Sequence, residues 1–221
     1  MKFSILIPCR NETEIIEETI TNLTNNLKNY NFEILLINDF STDDTLIKIK
    51  QLGSKFDNIK VLDNKKKGLG GSINLGINEA LGDYIVIYMA DMSDDIVNLK
   101  EYFEICINDL NIDAVFGSRF IKNSSVINYP KKKLFFNRVF NNFVKIIFFS
   151  NYNDFTNAFK IYKKKTLINL KPIVSENFNI FLELPLKIIS RKYNYKIIPI
   201  KWYNRKKGEA KFKIKELGSM Y

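Results

Sequence analysis

The sequence predicts an α/β protein with a mostly parallel central sheet and helices on both of its faces. Two observations carry this prediction. Short apolar runs alternate with longer amphipathic segments along the first half of the chain, and each apolar run ends in a polar turn, which is the pattern of repeated strand–helix units. A length of 221 residues with 46% hydrophobic residues suits one folded domain with a substantial core.

The first strand is predicted at residues 2–8, where an apolar run is too short for a helix. Apolar residues then recur at spacings of three and four between Ile15 and Leu27, which predicts the first helix. The same pair follows three more times, at residues 32–38 and 42–52, 59–62 and 71–81, and 84–89 and 96–110. Residues 113–116 are predicted to form a fifth strand.

The turns after these strands are where function is expected, because ligands of open α/β sheets bind beyond the carboxyl ends of the strands. The turns are residues 8–12, 39–44, 64–70 and 91–95, and three of them contain acidic residues. The chain has no histidine, which excludes any mechanism that needs an imidazole base or a histidine-rich zinc site. Carboxylates, Lys, Arg and Tyr must carry the chemistry.

The acidic turn at residues 91–95 predicts a cation site. Asp91, at the carboxyl end of a central strand, is placed to hold Mg²⁺ or Mn²⁺ against a diphosphate. Asp94 and Asp95 are equally suited to capping the helix that follows. We therefore assign the metal to Asp91.

Two other turns are candidates for binding a nucleotide. Asp39 can accept a hydrogen bond from a ring N–H of a base, with Ser41 or Thr42 capping the next helix. Lys67 and Gly68 begin a glycine-rich turn into a helix, where bare backbone can approach a phosphate or a sugar. The spacing matches neither a Walker loop nor a dinucleotide fingerprint.

Charge divides the chain into two parts. Residues 1–118 hold 11 basic and 19 acidic residues, whereas residues 119–221 hold 23 basic and 5 acidic residues. A basic half of this strength indicates nucleic acid, an anionic membrane surface or phosphorylated substrates, and charge alone does not distinguish them.

Residues 131–150 predict an amphipathic basic helix. One predicted face carries Phe136, Phe140, Phe143, Val144 and Ile147, and the other carries Arg138, Asn141, Asn142 and Lys145. Such a helix suits the headgroup region of a membrane, but a core or oligomer helix has the same pattern. No stretch is long and apolar enough to span a bilayer, so membrane contact is expected to be peripheral.

The cysteines and the N-terminus predict the compartment. Cys9 and Cys106 are too few for a disulfide framework and too far apart for a CxxC motif, so we expect buried free thiols in a reducing interior. The N-terminal apolar run is too short for a signal peptide. The expected location is cytoplasmic.

Taken together, the strand-end turns resemble those of the family 2 glycosyltransferases, which have the GT-A nucleotide-sugar fold. Residues 8–12, PCRNE, are similar to that family's P-x-x-N-E, and residues 38–45, NDFSTDDT, to its D-D-x-S-x-D-x-T. Residues 67–70, KGLG, with the helix that follows, are similar to its glycine-rich turn. The resemblance covers nearly the whole chain and implies one GT-A domain, with residues 1–118 binding the nucleotide sugar and 119–221 the acceptor.

The basic half resembles the dolichol-phosphate mannosyltransferase branch and its polyprenyl-phosphate relatives. Residues 117–120, GSRF, 154–162, DFTNAFKIY, and 205–211, RKKGEAK, are similar to its G-S-R-Y, D-x-T-x-x-F-x-x-Y and R-x-x-G-x-S-K. The resemblance implies nucleotide contacts at Pro8, Arg10, Glu12, Asp39, Lys67 and Gly68, and catalytic roles for Asp91, Arg119, Arg205 and Lys211. It implies acceptor contacts at Arg119, Asp154, Thr156, Arg205 and Lys211.

Three departures from the branch concern the donor. Met89 replaces the first acid of D-x-D, so cation binding is expected to be weaker or to recruit Asp94. Asn38 replaces an acid, and Ala210 replaces a serine before the last lysine. The sequence therefore leaves the base and the sugar of the donor open.

The resemblance implies an inverting glycosyltransferase that moves a sugar from a GDP- or UDP-sugar to a polyprenyl phosphate, with Mg²⁺ or Mn²⁺. The lipid phosphate is already ionised and acts as the nucleophile itself. The donor diphosphate, the acceptor phosphate and a membrane surface would together account for the basic half of the chain without nucleic acid. The alternative is transfer to a sugar hydroxyl, with Glu183 as base, although a pair with a nearby Lys or Arg is the first expectation for Glu183. A non-catalytic basic binding module ranks below both.

Overall fold

A computed structural model describes residues 1–205 and shows a central sheet with helices on both faces. The strands are β1 (Phe3–Cys9), β2 (Phe32–Asn38), β3 (Ile59–Asp63), β4 (Tyr84–Ile87), β5 (Ala114–Ser118), β6 (Ser125–Ile127), β7 (Lys160–Lys163), β8 (Tyr195–Pro199) and β9 (Lys201–Tyr203). The helices are α1 (Ile16–Asn26), α2 (Thr45–Lys55), α3 (Leu69–Glu79), α4 (Ile96–Asn108), α5 (Lys131–Ile147), α6 (Lys164–Asn169) and α7 (Ile180–Ser190). The predicted mostly parallel α/β sheet is confirmed.

The main sheet has seven strands in the order β3-β2-β1-β4-β7-β5-β8. All neighbours pair in parallel except β7, which runs antiparallel to both β4 and β5. Strands β6 and β9 form a separate parallel pair. Strands from both charge-defined halves of the chain thus share one sheet, and the carboxyl ends of β1, β2, β4 and β5 meet at one edge.

The sheet is buried on both sides, which explains the unbroken apolar runs of its strands. Every residue of β1 is buried, with Ile5 and Ile7 in one layer of the core and Leu6 in the other. Helices α1, α2 and α4 pack on the first layer, and α3, α5, α6 and α7 on the second. Cys9 and Cys106 are free and buried, as predicted. Within residues 1–205, the structure shows no helix long and apolar enough to cross a membrane.

Helix α5 forms within the predicted residues 131–150, and the structure divides its predicted apolar face. Asn141, predicted on the polar face, is buried together with Val144 of the apolar face, and the Asn141 amide exchanges hydrogen bonds with Thr156. Phe140 packs against the core, whereas six other large apolar side chains are exposed: Phe135, Phe136, Val139, Phe143, Ile146 and Ile147. We call these six residues the apolar face of α5. The hydrogen bonds of one polar side chain thus decide which side of the helix meets the core.

The predicted cap of α2 is also wrong. Helix α2 begins at Thr45, and the backbone N–H of Thr45 donates to Asp43 Oδ1 at 3.0 Å. Ser41 and Thr42 instead bond the turn after β1: Ser41 Oγ accepts from Asn11 N at 3.2 Å, and Thr42 N donates to Asn11 Oδ1 at 2.7 Å. These side chains therefore join the turns after β1 and β2.

Candidate active site

Asp91 lies just beyond β4, where the chain turns towards α4. Its Oδ1 accepts from Ser93 N at 3.1 Å, and Met92 has a left-handed φ of 57°. Asp95 caps α4, since its Oδ1 accepts from Val97 N at 2.8 Å. The capping role considered for this turn therefore belongs to Asp95, and the Asp91 side chain is left for another partner.

That partner is Arg205. Its Nε and Nη2 lie 3.2 and 3.1 Å from Asp91 Oδ2, and Nη2 also lies 3.1 Å from Glu12 Oε1. The arginine is held there by β9, because Tyr203 N donates to Ser93 O at 2.9 Å. Burial lowers the pKa of Arg205, but the charges of Glu12 and Asp91 outweigh it and raise that pKa above its ordinary value. The structure thus brings together residues 193 positions apart in sequence.

Asp94 is buried in the same turn as Asp91. It is 3% exposed, and its Oδ2 accepts from Met89 N at 3.3 Å. Its Oδ1 has no hydrogen-bond partner among the described residues. Burial, and then the negative charge of Asp91, raise the pKa of Asp94 to about 8. A buried oxygen without a hydrogen-bond partner is unusual, and the raised pKa means that this carboxyl is mostly protonated at neutral pH.

The site fits a divalent cation that binds with its nucleotide. Among residues 1–205, no group of three or more acidic or cysteine side chains is arranged to hold a metal ion. Mg²⁺ is usually held by one or two carboxylates with substrate phosphate oxygens, and Asp91 supplies such a carboxylate. In the same turn, Asp94 Oδ1 is buried with no hydrogen-bond partner among residues 1–205. The residues are therefore suited to a cation that shares its ligands with a diphosphate.

Asp39 is fixed at the end of β2 by the glycine-rich turn. Its Oδ1 accepts from Gly68 N at 2.9 Å and from Asn64 Nδ2 at 3.0 Å, and the residue is 5% exposed. Gly68 has a φ of 123°, which favours glycine. Among the other residues assigned to the nucleotide, Pro8 is buried in β1, whereas Arg10 and Lys67 are exposed.

The glycines of this turn approach protein backbone. A Cβ added to Gly70 would lie 2.0 Å from Ser175 O, and one on Gly68 would lie 2.4 Å from Glu176 O. Gly70 N also donates to Glu176 O at 2.8 Å. The close approach that the glycines permit is therefore to the segment before α7, a contact that the sequence did not indicate.

Arg119 and Asp154 form a buried ion pair at the carboxyl end of β5. Arg119 Nε and Nη2 donate to the two carboxylate oxygens at 2.8 and 2.7 Å, and Arg119 N donates as well. Thr156 Oγ1 lies 3.4 Å from Nη2. Burial lowers the pKa of Arg119, but Asp154 raises it above its ordinary value. Three residues assigned to the acceptor therefore lie together, joined by one edge of the guanidinium.

Lys160 is a buried charged residue next to the loop of Asp154, and the sequence did not single it out. It is 1% exposed, and its Nζ donates to the carbonyl oxygens of Phe155 and Asn157. Burial lowers its pKa to about 7. The side chain ties the loop carrying Asp154 and Thr156 to β7. A lysine inside the D-x-T-x-x-F-x-x-Y pattern was the available signal, but nothing in the sequence indicated its burial.

Strand β9 connects the group of Asp91, Glu12 and Arg205 with the Arg119–Asp154 pair. The Trp202 ring lies 5.6 Å from the Arg119 guanidinium and 5.1 Å from the Tyr129 ring, and Arg205 follows three residues later. Lys211 lies outside the described residues. An open α/β sheet with acidic and basic side chains at its carboxyl edge is the kind of protein that binds nucleotides there.

The chain belongs to the family described as glycosyl transferase family 2, which residues 4–170 match. It is similar to a dolichol-phosphate mannosyltransferase of Pyrococcus furiosus, at 29% identity over 98% of this chain and 61% of the relative. It is also similar to the glycosyltransferase AglD of Haloferax volcanii, at 24% identity over 96% of this chain and 34% of the relative. The chain thus spans less than two thirds of the length of these relatives.

Solved structures show the same fold. Glucosyl-3-phosphoglycerate synthase from Mycobacterium tuberculosis, in complex with Mn²⁺, UDP and glucosyl-3-phosphoglycerate, matches with a TM-score of 0.73. The match covers 99% of this chain and 75% of the synthase at 14% identity. The GT-A fold that the sequence predicted is confirmed.

Proposed function

We propose that the protein is an inverting glycosyltransferase that moves a sugar from a nucleoside-diphosphate sugar to a polyprenyl phosphate. The observation that carries the proposal is the meeting of Asp91, Arg205 and Glu12 at the carboxyl edge of the sheet, with the Arg119–Asp154 pair beside β9. Two guanidinium groups there suit two sets of phosphate charge. The names of the two relatives, and the Mn²⁺ and UDP of the structural neighbour, support it.

The residues account for each requirement of such a transfer. Glu12 and Asp39, with Pro8, Arg10, Lys67 and Gly68, would form the donor side, and they lie at or near the ends of β1, β2 and β3. Asp91 would hold Mg²⁺ or Mn²⁺, which when bound neutralises the leaving diphosphate. Arg119 and Thr156, with Arg205 and Lys211, would place the acceptor phosphate oxygen behind the anomeric carbon. A single displacement inverts that carbon, and an ionised phosphate needs no general base.

Glu183 gives little support to transfer to a hydroxyl. Its carboxylate accepts from Ser175 N at 2.7 Å and Val174 N at 3.0 Å, and it is paired with Lys187. Burial raises the pKa of Glu183, but the hydrogen bonds from Lys187 and Ser175 outweigh it and hold that pKa below its ordinary value. A weak base whose oxygens already have donors is poorly suited to general-base catalysis. The expected pair with a basic residue is confirmed.

Glu183→Gln is expected to leave turnover with polyprenyl phosphate within about threefold of the native chain, because a carboxylate that orients a loop is not needed for proton transfer. Transfer is measured with radiolabelled GDP- and UDP-sugars, with polyprenyl phosphate and with the matching free polyprenol as acceptors. The free alcohol is expected to be inert. Transfer to the polyprenol that Glu183→Gln abolishes would instead establish the hydroxyl reaction, and no transfer to either acceptor from any donor would contradict both.

We further propose that the apolar face of α5 contacts an anionic membrane on the cytoplasmic side. Its six apolar side chains are exposed, and Phe149, just beyond the helix, is 96% exposed. Lys131, Lys132 and Arg138 are exposed on the same helix. Exposed aromatic area beside basic residues is the pattern of an interfacial helix. An acceptor with a polyprenyl chain would be met at that surface.

Phe143→Glu is expected to weaken binding to vesicles of anionic phospholipid by roughly tenfold or more, because burying a phenylalanine stabilises binding by about 1.5–3 kcal/mol. Co-sedimentation of the purified chain with vesicles measures it. Asn142→Glu is the matched control, since it adds the same charge at the next, also exposed position. An equal loss in both variants would mean that only charge matters, and absence of native binding at low salt would refute membrane contact.

A further inference from the structure

Two carboxylates of the active site share one positively charged nitrogen. Arg205 Nη2 lies 3.1 Å from Glu12 Oε1 and 3.1 Å from Asp91 Oδ2. The side chains of Glu12 and Asp91 are only 8% and 13% exposed. Oxygens of two acids, brought from the ends of β1 and β4, are therefore held around one cationic atom in a place with little water.

The two carboxylates also suit a divalent cation. Among residues 1–205, Glu12 and Asp91 are both paired with the Arg205 guanidinium. Asp94, three residues after Asp91, adds a buried oxygen with no hydrogen-bond partner among residues 1–205. Divalent cations prefer carboxylate oxygens such as those of Glu12 and Asp91. The guanidinium thus marks a place where oxygens of two carboxylates already surround a positive charge.

We propose that Glu12 and Asp91 form one cation site with two alternative occupants, the Arg205 guanidinium in the free protein and Mg²⁺ or Mn²⁺ when the donor binds. The proposal rests on the proposed function, since the cation arrives with the donor diphosphate. Glu12 thereby supplies the second carboxylate that Met89 does not provide.

Exchange of the occupants couples cation binding to phosphate recognition. Strand β9 is fixed by hydrogen bonds from Tyr203 N to Ser93 O and from Asn204 N to Ile127 O, both at 2.9 Å. Arg205 follows these anchors directly, so its side chain can leave the carboxylates while the strand stays in place. The released guanidinium then has its donors available for phosphate oxygens.

The test is Mn²⁺ binding to the purified chain without nucleotide or lipid, measured from the loss of the electron paramagnetic resonance signal of free Mn²⁺. Arg205→Met is expected to bind Mn²⁺ tighter than the native chain by roughly fivefold or more, because the competitor is gone. Arg205→Lys keeps the positive charge but lacks the planar set of N–H donors of a guanidinium. Its affinity for Mn²⁺ is expected to lie between those of the native chain and Arg205→Met. Adding Glu12→Gln to Arg205→Met should reverse most of the gain, and Asp91→Asn should abolish binding.

Lys201→Met is the matched control, because it removes a positive charge from an exposed position of the same strand. The proposal is overturned if Arg205→Met binds Mn²⁺ no tighter than Lys201→Met, or if Glu12→Gln changes nothing in the Arg205→Met background. Thermal unfolding checks that each variant is folded. If Arg205→Met does not fold, the Mn²⁺ affinity of Arg205→Lys compared with that of the native chain decides the question. No donor or acceptor is present, so a failure of the transferase proposal would appear in the lipid assay and not here.

Discussion

Asp91→Asn is expected to lower sugar transfer by about 10²–10³-fold, the effect of removing one preorganised group that stabilises charge in a transition state. The amide keeps the shape of the side chain but loses the charge that would hold a cation against the diphosphate. Initial rates with saturating donor and polyprenyl phosphate measure the effect. Thermal stabilisation by the donor nucleotide should lose its dependence on Mg²⁺ or Mn²⁺ in the same variant.

The matched control for this experiment is Asp95→Asn. Asparagine caps a helix as well as aspartate does, so α4 is preserved while one negative charge is removed from the same turn. This variant should transfer sugar within about threefold of the native chain. Equal losses of activity in both variants would mean that the negative charge of the turn as a whole matters, and not Asp91 in particular. Native activity in Asp91→Asn would show that Asp91 has no part in the mechanism.

Asp154→Ala is expected to destabilise the fold by about 3–5 kcal/mol, because it leaves the Arg119 guanidinium buried without its counter-charge. For a chain of this size each kcal/mol lowers the melting temperature by roughly 2–4 °C. Urea or thermal unfolding followed by circular dichroism measures the change. Asp57→Asn, at an exposed acid, is the control and should shift stability by less than about 0.5 kcal/mol.

A double variant separates the charge from the packing. Arg119→Met with Asp154→Leu removes both charges together, and apolar replacement of a buried pair is often neutral in stability. We expect the double variant to recover most of the stability lost in Asp154→Ala while remaining inactive in transfer. If the double variant is as unstable as Asp154→Ala, Asp154 stabilises the fold by packing the loop around Thr156 and not by pairing with Arg119.

The sequence predicted the first half of the fold well because periodicity alone defines it. The strand at residues 32–38 was predicted at its observed bounds, and the others were displaced by only a few residues. Strand β7 was missed, since its four residues carry no alternation and its position depends on two strands from elsewhere in the chain. Strands β6 and β9 are only three residues each and exist through their mutual pairing.

The sequence predicted which strand-end turns form the candidate site, but not which side chains contact each other there. Parallel strands bring their ends to one edge, which is why Glu12, Asp39 and Asp91 were expected together. That Arg205 reaches Asp91 depends on β9, and that Asn141 and Lys160 are buried depends on hydrogen bonds to a loop. A helical pattern identifies an apolar face, but the partner that the helix meets decides whether this face is covered.

The insertion of β7 sets the order in which the sheet can be completed during translation. Strand β5 pairs only with β7 and β8, both of which are encoded after it. Strand β5 therefore has no pairing partner when it is synthesised, and its first partner, β7, is complete only after Lys163. At roughly 5–20 residues per second, this delay is on the order of seconds. During this time β1, β2, β3 and β4 can already pair. The nascent chain can thus carry a four-stranded sheet that contains the ends of β1, β2 and β4 before β5 has any partner.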